Sequence, residues 1–222
     1  MNRFGGYSLG KLWKNIVRKK HLEITLSKLK ISPKLKCELE QYPISPDAAA
    51  EVLFIASQIY NDIRNRKIID LGCGSGFLAI GAAILGAKEV VGVDLDLNAI
   101  KTARINAEAI NVKDKIQWVI GDVSSIIGKF DVVLQNPPFG VKKRGADILF
   151  LKKALEIGKV IYTLHKSSEK NRKFIKDKII NEGGEVSAIF QINLTIPRLF
   201  NFHYKKRHII KVDLYRVVKN DG

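Results

Sequence analysis

The feature that most constrains the fold is a regular alternation of two kinds of segment, which begins at residue 67. Short apolar runs typical of buried strands are separated by segments with helical spacing. The strand-like runs are KIIDLGCGSG, which ends in a glycine-rich turn, EVVGVDLD, KIQWVIGD, FDVVLQNPPF and KVIYTLH. Strands that alternate with helices predict a parallel, doubly wound sheet.

The last two strand-like runs, EVSAIFQINLTI and HIIKVDLYRVV, have no helical segment between them. This arrangement predicts a hairpin, so one of its two strands runs antiparallel to the rest. The expected fold class is an α/β, doubly wound, Rossmann-like sheet that is mostly parallel with an antiparallel C-terminal strand. We expect residues 1–38 to form a basic, helical N-terminal extension and residues 39–222 to form the main domain.

Charge is unevenly distributed along the 222 residues, which carry 38 Lys and Arg against 22 Asp and Glu. Residues 1–36 have a net charge of +9, residues 37–140 of −4 and residues 141–222 of +11. Basic flanks around a mildly acidic centre are typical of a protein that binds a polyanion and holds a separate reaction centre. A lysine-rich surface without a polyanionic partner is the alternative.

The two cysteines, Cys37 and Cys73, form no CxxC pair. Their spacing argues against a zinc ribbon and against a disulfide-stapled secreted fold, and we expect no metal site in this chain. No stretch is long and apolar enough to span a bilayer, and the N-terminus has no apolar signal region. We therefore expect a cytoplasmic protein.

The turn DLGCGSG places Gly72, Gly74 and Gly76 at the end of the first strand. Glycines let the backbone approach a ligand closely, and the helix that follows offers free N–H groups. The dinucleotide pattern G-x-G-x-x-G requires glycine where this chain has Phe77, which argues against a nicotinamide dehydrogenase. Asp94 ends the second strand, where a carboxylate can accept both ribose hydroxyl hydrogens of a nucleoside.

Two further residues, Asp122 and Val123, follow the third strand. The carboxyl ends of parallel strands form one edge of the sheet, where ligands bind in open α/β folds. There Asp122 can hold the amino group of an adenine, while the N–H of Val123 reaches a ring nitrogen. A helix N-cap is the alternative role of Asp122, and the two roles are compatible.

The fourth strand ends in Asn136-Pro137-Pro138-Phe139, followed by Gly140 and three basic residues. An adenine N6 is a poor nucleophile because its lone pair is delocalised into the ring. The side-chain oxygen of Asn136 and the carbonyl of Pro137 can each accept one N6 hydrogen, which frees the lone pair. The prolines fix φ and therefore the direction of these acceptors, while Phe139 can stack on a base that has left its helix.

The order and spacing of DLGCGSG, GVDLD, GD and NPPF resemble those of S-adenosylmethionine-dependent methyltransferases that act on exocyclic amines. LEQYPISP is similar to the segment that folds over the cofactor in many of the adenine enzymes. From Leu39 onward the chain resembles the methyltransferase-like five family, the small-subunit ribosomal RNA adenine-N6 methyltransferases. That family has Thr after Tyr-Pro, where this chain has Ile44 followed by Ser45.

The resemblance implies a class I methyltransferase domain with S-adenosylmethionine as its cofactor. The residues expected to contact the cofactor are Gln41, Tyr42, Ser45, Asp70, Gly72, Gly74, Ser75, Gly76, Phe77, Asp94, Asp122, Val123 and Asn136. The residues expected to act in catalysis are Asn136, Pro137, Pro138 and Phe139. The residues expected to form a rim that contacts RNA phosphates are Lys142, Lys143, Arg144, His165, Lys166, Lys205, Lys206 and Arg207.

The third strand is expected to lie at an edge of the sheet, in the strand order 3-2-1-4-5 followed by the hairpin. It carries Ile116, Trp118, Val119 and Ile120 with no charge among them, although natural edge strands are usually blunted by charge. The family resemblance implies a small zinc-binding activator protein that adds a strand to this edge and supplies its own zinc. The alternative is that Trp118 and its neighbours point inward.

We therefore predict an enzyme that methylates the N6 of one adenosine in small-subunit ribosomal RNA. One rival is a protein glutamine N5-methyltransferase of the release-factor type, in which Asn-Pro-Pro is usually followed by Tyr. Phe139 and the basic flanks favour a base over a protein glutamine. Another rival is a catalytically silent RNA-binding subunit, against which the intact Asn136, Asp94 and glycine turn argue.

Overall fold

The computed structural model describes residues 18–33, 43–139, 145–197 and 207–219. Its helices are α1 (Lys19–Leu26), α2 (Pro46–Phe54), α3 (Phe77–Ile84), α4 (Leu97–Ala109), α5 (Ala146–Ile157) and α6 (Glu169–Asn181). Its strands are β1 (Lys67–Leu71), β2 (Glu89–Asp94), β3 (Ile116–Ile120), β4 (Phe130–Gln135), β5 (Gly158–Lys166), β6 (Gly184–Pro197) and β7 (Arg207–Lys219). A π-helical turn, Ile55–Ile59, extends α2, and short 3-10 turns span Lys113–Lys115 and Val123–Ser125.

The strands form one sheet in the order β3-β2-β1-β4-β5-β7-β6. Strands β1 to β5 pair in parallel, and β7 pairs antiparallel with both β5 and β6. Leu71, the last residue of β1, pairs with Val93 of β2 and with Gln135 of β4. The predicted fold class and strand order are confirmed, and the carboxyl ends of these strands lie at a common edge.

The two faces of the sheet are covered by different helices because side chains alternate along each strand. In β4, Leu134 packs in the same cluster as residues of α2 and α3. Val133 packs in a second cluster with residues of α5 and α6. The sheet is therefore buried on both faces, which explains why its central strands are continuous apolar runs.

The β6–β7 hairpin extends past the carboxyl edge of the sheet. Lys166 at the end of β5 pairs with Val212, whereas β7 begins five residues earlier, at Arg207. The hairpin ends therefore project beyond the edge at which β1, β2 and β4 finish.

Strand β3 lies at the edge of the sheet, as predicted, but its apolar side chains do not all face outward. Ile116 is buried, and a Cβ added at Gly92 would lie 2.5 Å from the Trp118 ring. Trp118 thus packs over β2 in space that glycine leaves open. Val119 and Ile120 are 36% and 51% exposed, so only part of the strand covers itself.

Helix α1 packs on the main domain through Leu22 and Leu26. These two side chains, and that of Leu29 just after the helix, are buried in the cluster beside α2. The described part of the N-terminal region is therefore continuous with the core in packing. The division of the chain after residue 38 stays a prediction. None of the helices among the described residues combines the length and apolarity needed to cross a bilayer.

Candidate active site

The glycine turn after β1 has one open position between two crowded ones. Gly72 and Gly76 have φ of +69° and +87°, and a Cβ on either would lie 2.8 Å from the ring of Phe150 or Trp118. Gly74 also has a positive φ, of +53°, but a Cβ there would meet nothing within 4 Å. The outer glycines therefore permit close packing, while Gly74 borders open space that a ligand can approach.

Asp94 at the end of β2 holds this turn. One carboxylate oxygen accepts a hydrogen bond from the N–H of Gly74 at 2.8 Å, and the other accepts from the N–H of Asp96 at 2.9 Å. Burial raises the pKa of Asp94, although these two N–H groups oppose the rise. Each carboxylate oxygen can accept a further hydrogen bond, so the predicted ribose contact is compatible with the role in the turn.

Asp70 lies beneath the same turn and is 1% exposed. Its Oδ2 accepts a hydrogen bond from the N–H of Ala79 at 3.0 Å, whereas Oδ1 is buried with no hydrogen-bond partner. Burial raises the pKa of Asp70 to about 7, and the nearby Asp94 carboxylate adds to the rise. A buried acceptor of this kind is suited to a cationic ligand, because a positive charge would stabilise the ionised carboxylate.

The N-terminal segment after α1 is fastened to the glycine turn. Asn106, which is buried, accepts from the N–H of Lys30 and donates to the carbonyls of Lys30 and Ser75, each at 2.9 Å. The Ser75 hydroxyl accepts a hydrogen bond from the N–H of Ser32 at 3.0 Å. The side chain of Ser75 therefore binds the N-terminal segment, which leaves its backbone for the predicted cofactor contact.

Three other predicted cofactor residues have clear structural positions. Phe77 begins α3 with its side chain in the core, so only its backbone faces the turn. Asp122 caps the 3-10 turn by accepting from the N–H and hydroxyl of Ser124 at 2.8 and 2.7 Å, and Val123 is buried. The Ser45 hydroxyl accepts from the N–H of Thr195 in β6 at 3.4 Å. Their contacts with a cofactor stay predictions.

The residues around the glycine turn fit S-adenosylmethionine, which the sequence predicts. Asp70 offers a buried, unpartnered oxygen at the turn, Asp94 offers a carboxylate, and Gly74 borders open space. Two carboxylates suit a ligand that carries a sulfonium, an ammonium and a ribose diol. Asp94 links the ends of β1 and β2, so both carboxylates lie at the carboxyl edge.

The Asn136-Pro137-Pro138-Phe139 turn follows β4 at the same edge. Pro137 is buried, while Asn136 and Pro138 are partly buried. Phe139 packs partly against the core, and the Lys166 ammonium lies 5.8 Å from the centre of its ring. The predicted catalytic residues thus lie next in line along the edge after the glycine turn, because β4 is the neighbour of β1.

A buried polar chain beneath this turn was missed by sequence reasoning. The amide of Gln135 donates to the Thr163 hydroxyl at 2.9 Å, and that hydroxyl lies 3.0 Å from Nε2 of His165. Burial lowers the pKa of His165 to about 4, so its ring is neutral near pH 7. The signal was available as the polar residue Gln135 at the end of an apolar strand.

The chain continues into β7. The His165 and Tyr215 rings meet edge to face with centres 5.6 Å apart. Asp213, fully buried, accepts hydrogen bonds from the Arg172 guanidinium at 2.7 and 2.8 Å. Burial alone would raise the pKa of Asp213, but Arg172 of α6 lowers it below its ordinary value. This ion pair fixes the start of α6 against the sheet, close to His165.

Most of the predicted phosphate rim lies outside the described residues. Those outside are Lys142, Lys143, Arg144, Lys205 and Lys206, together with the predicted cofactor residues Gln41 and Tyr42. Of the remaining rim residues, His165 is buried, Lys166 is exposed, and the backbone of Arg207 begins β7. His165 therefore acts as a support beneath the edge more readily than as a phosphate contact.

A central segment of the chain matches a family model. Residues 53–137 match the model described as ribosomal protein L11 methyltransferase (PrmA). The match runs from α2 through the glycine turn to Pro137, and so covers the elements that surround the proposed cofactor position.

Longer similarities cover most of the chain. The chain is 37% identical to the zebrafish (Danio rerio) rRNA N(6)-adenosine-methyltransferase METTL5, over 89% of this chain and 97% of that protein. It is 41% identical to the uncharacterized protein MJ0284 of Methanocaldococcus jannaschii, over 92% of this chain and 95% of that one. The crystal structure of PH1948 from Pyrococcus horikoshii, suggested to be an RNA methyltransferase, superposes with a TM-score of 0.85 at 41% identity, covering 92% and 98% of the two chains.

We predict that cofactor affinity depends on the ionisation of Asp70. Its pKa of about 7 means that the carboxyl group is neutral below that pH and ionised above it. Because a cationic ligand prefers the ionised form, the affinity for S-adenosylmethionine should rise about tenfold from pH 6 to pH 8. Isothermal titration calorimetry measures this, and Asp70→Asn should remove the dependence. A wild-type affinity that is flat over this range, or a slope that survives in Asp70→Asn, would contradict the assignment.

Proposed function

Because the chain belongs to the METTL5 family of rRNA N(6)-adenosine methyltransferases, we propose that it methylates the N6 of one adenosine in ribosomal RNA. The cofactor is S-adenosylmethionine, the methyl donor of the methyltransferases that this chain resembles in sequence and fold. We propose further, from the resemblance in sequence, that the RNA is that of the small subunit and that the protein acts in the cytoplasm.

The observation that carries this proposal is the position of Asn136 and Pro137 at the carboxyl edge, one strand away from the glycine turn. When bound there, S-adenosylmethionine would supply an electrophilic methyl group on a sulfonium, with S-adenosylhomocysteine as the leaving group. Gly74 offers room for it, and the Asp94 and Asp70 carboxylates lie within and beneath the turn. The protein then has to orient an amine, which is the main catalytic contribution in such a reaction.

The acceptor half orients the amine in the following way. The side-chain oxygen of Asn136 and the carbonyl of Pro137 each accept a hydrogen bond from one of the two N6 hydrogens. These bonds turn the nitrogen lone pair toward the methyl group. Pro137 and Pro138 restrict the backbone that carries these acceptors. Phe139 stacks on the base, which must leave its helix to reach the edge. Gln135, buried in β4 and bonded to Thr163, holds the turn from below.

Transfer of labelled methyl from S-adenosylmethionine to total RNA and to total protein tests the proposed substrate class. The family model that matches residues 53–137 is named for a methyltransferase of a ribosomal protein, so the protein arm is needed. We expect label in RNA, released as N6-methyladenosine on digestion to nucleosides. Label confined to protein, or to another nucleoside, would contradict the proposal.

We predict that Asn136→Ala separates binding from catalysis. The substitution removes an N6 acceptor, so kcat should fall by about a hundredfold or more, because positioning supplies most of the rate. The dissociation constant for S-adenosylmethionine should change by less than about threefold, because the groups at the glycine turn supply most of the predicted cofactor contacts and Asn136 supplies one at most. The exposed Asn181 at the end of α6 provides the matched control, since Asn181→Ala should leave both values unchanged. Near-normal turnover by Asn136→Ala would contradict the catalytic role assigned to Asn136.

We also propose a small zinc-binding activator protein that pairs with the β3 edge. The support from the described residues is that Val119 and Ile120 remain exposed on an edge strand without charge. Ile116 and Trp118 pack inward, so substitutions there would test folding rather than pairing.

Val119→Lys and Ile120→Lys should each release a zinc-containing partner that co-purifies with the wild-type protein from its native cells. They should also lower activity, because a charge blocks an approaching strand. The exposed Ile180 on α6 supplies the control substitution, Ile180→Lys. Metal analysis of the purified protein gives the readout. The partner would be excluded if the wild type were a fully active monomer and if Val119→Lys and Ile120→Lys were as active as the wild type.

A further inference from the structure

A cavity of about 390 Å³ opens beside Phe139, on the side of the sheet covered by α5 and α6. Its walls include Phe139, His165, Lys166 at the end of β5, and Lys170 and Phe174 of α6. The volume falls near the lower end of the range for small-molecule sites, about 300–1,000 Å³. The cavity is therefore large enough for one nucleotide but not for a long stretch of chain.

Phe174 is the unusual feature of this cavity, because it is a large aromatic side chain that is 45% exposed. The next residue, Ile175, supplies the core contact of this turn of α6 and is fully buried. Phe174 is therefore not needed to attach the helix to the sheet. An exposed ring at the wall of a cavity is suited to stacking on a planar ligand.

The ring is flanked by positive charge along one stripe of the helix. Lys170, Phe174 and Lys178 are spaced four residues apart, so they lie on the same face of α6. The Lys178 ammonium lies 5.7 Å from the centre of the Phe174 ring. Aromatic rings among basic groups are the pattern by which proteins hold single-stranded nucleic acid.

Helix stabilisation by the Lys178–Phe174 pair, a cation against an aromatic ring, is the ordinary explanation for this contact. It does not account for the cavity, nor for Lys166 and Lys170 at its wall. The lining also includes the polar residues Ser168 and Asn171 and one acidic residue, Asp147 of α5. Base edges carry both donors and acceptors, so this mixed lining suits a nucleobase.

One of the lining residues, His165, is buried and has a hydrogen-bonded side chain. Its ring is held by Thr163 at 3.0 Å and packed against Tyr215. The imidazole is neutral near pH 7 because burial lowers its pKa to about 4. The cavity lining therefore combines a neutral imidazole and aromatic rings, which suit a base, with Lys166 and Lys170, which suit its phosphates.

We propose that this cavity binds the base of the nucleotide next to the target adenosine, with Phe174 as its stacking platform and Lys166 and Lys170 against the adjoining phosphates. This site rests on the proposed function, because Phe139 lines the cavity and is also the residue assigned to stack on the target adenine. Captured in this way, the neighbouring base can no longer stack on the adenosine. The cavity thereby offsets part of the cost of unstacking the target.

The test measures the binding of a nine-nucleotide RNA, with a single central adenosine among uridines, in the presence of S-adenosylhomocysteine. Three further RNAs lack the base at the centre, at its 5′ neighbour or at its 3′ neighbour. Stacking tolerates any base, so uridine is adequate. Fluorescence anisotropy gives the dissociation constants for the wild type, Phe174→Ala, Phe174→Trp and the exposed control Ile180→Ala.

Phe174→Ala should weaken binding of the intact RNA by roughly 5- to 100-fold, and Phe174→Trp should restore it. Loss of one of the two neighbouring bases should weaken wild-type binding to a similar extent. On that RNA Phe174→Ala should have no further effect, because the missing base and the substitution remove the same stacking contact. Loss of the central base should leave the effect of Phe174→Ala intact. Ile180→Ala should bind all four RNAs like the wild type.

Two results would overturn the neighbouring-base site while leaving RNA methylation unaffected. One is that the wild type binds the RNA without the 5′ base and the RNA without the 3′ base as tightly as it binds the intact RNA. The other is a Phe174→Ala effect that is absent or equal on all four RNAs. A Phe174→Ala effect that disappears only when the central base is missing would assign Phe174 to the target adenosine instead. Failure of the wild type to bind any of the RNAs would overturn the proposed function itself.

Discussion

The two hydrogen bonds of the Asp94 carboxylate are the interaction on which the site depends. One oxygen accepts from the N–H of Gly74, in the glycine turn after β1, at 2.8 Å. The other oxygen accepts from the N–H of Asp96, just after β2, at 2.9 Å. Asp96 in turn caps α4 by accepting from the N–H of Asn98 at 3.0 Å. Two strand ends and a helix are thereby fixed at one edge by two buried carboxylates, Asp94 and Asp96. The cost of burying the charge of Asp94, visible in its raised pKa, is offset by the N–H groups of Gly74 and Asp96.

The edge has a second half with a different chemistry. Around the glycine turn the buried groups are the acceptors Asp70 and Asp94, which suit a cationic cofactor. Beyond Asn136 the support is a mostly neutral chain through Gln135, Thr163 and His165, and the cavity beside it is lined in part by Lys166 and Lys170. Under the proposed function, the edge would run from cofactor to target base to neighbouring nucleotide, so that one sheet serves a cation and a polyanion side by side.

The sequence was sufficient for features with local signals and insufficient for those made by distant contacts. Alternating apolar runs predicted the seven strands, and the usual strand order of the expected fold supplied their arrangement. The turn glycines and Asp94 were predicted to meet at the carboxyl edge, where a hydrogen bond from Gly74 to Asp94 joins them. The role of the Ser75 side chain was not visible, because it bonds the N–H of Ser32, 43 residues away. Likewise the inward packing of Trp118 depends on a missing Cβ at Gly92, and the support of Gln135 depends on Thr163, 28 residues later.

The central claim is that Asn136 and Pro137 orient an adenine amine toward a cofactor bound at the glycine turn. A crystal structure with S-adenosylhomocysteine and a short adenosine-containing RNA tests it most directly. The account predicts the adenine N6 at about 3 Å from both the Asn136 side-chain oxygen and the Pro137 carbonyl, with the base against Phe139. An adenine bound elsewhere, or a cofactor bound away from Gly74 and Asp94, would contradict it.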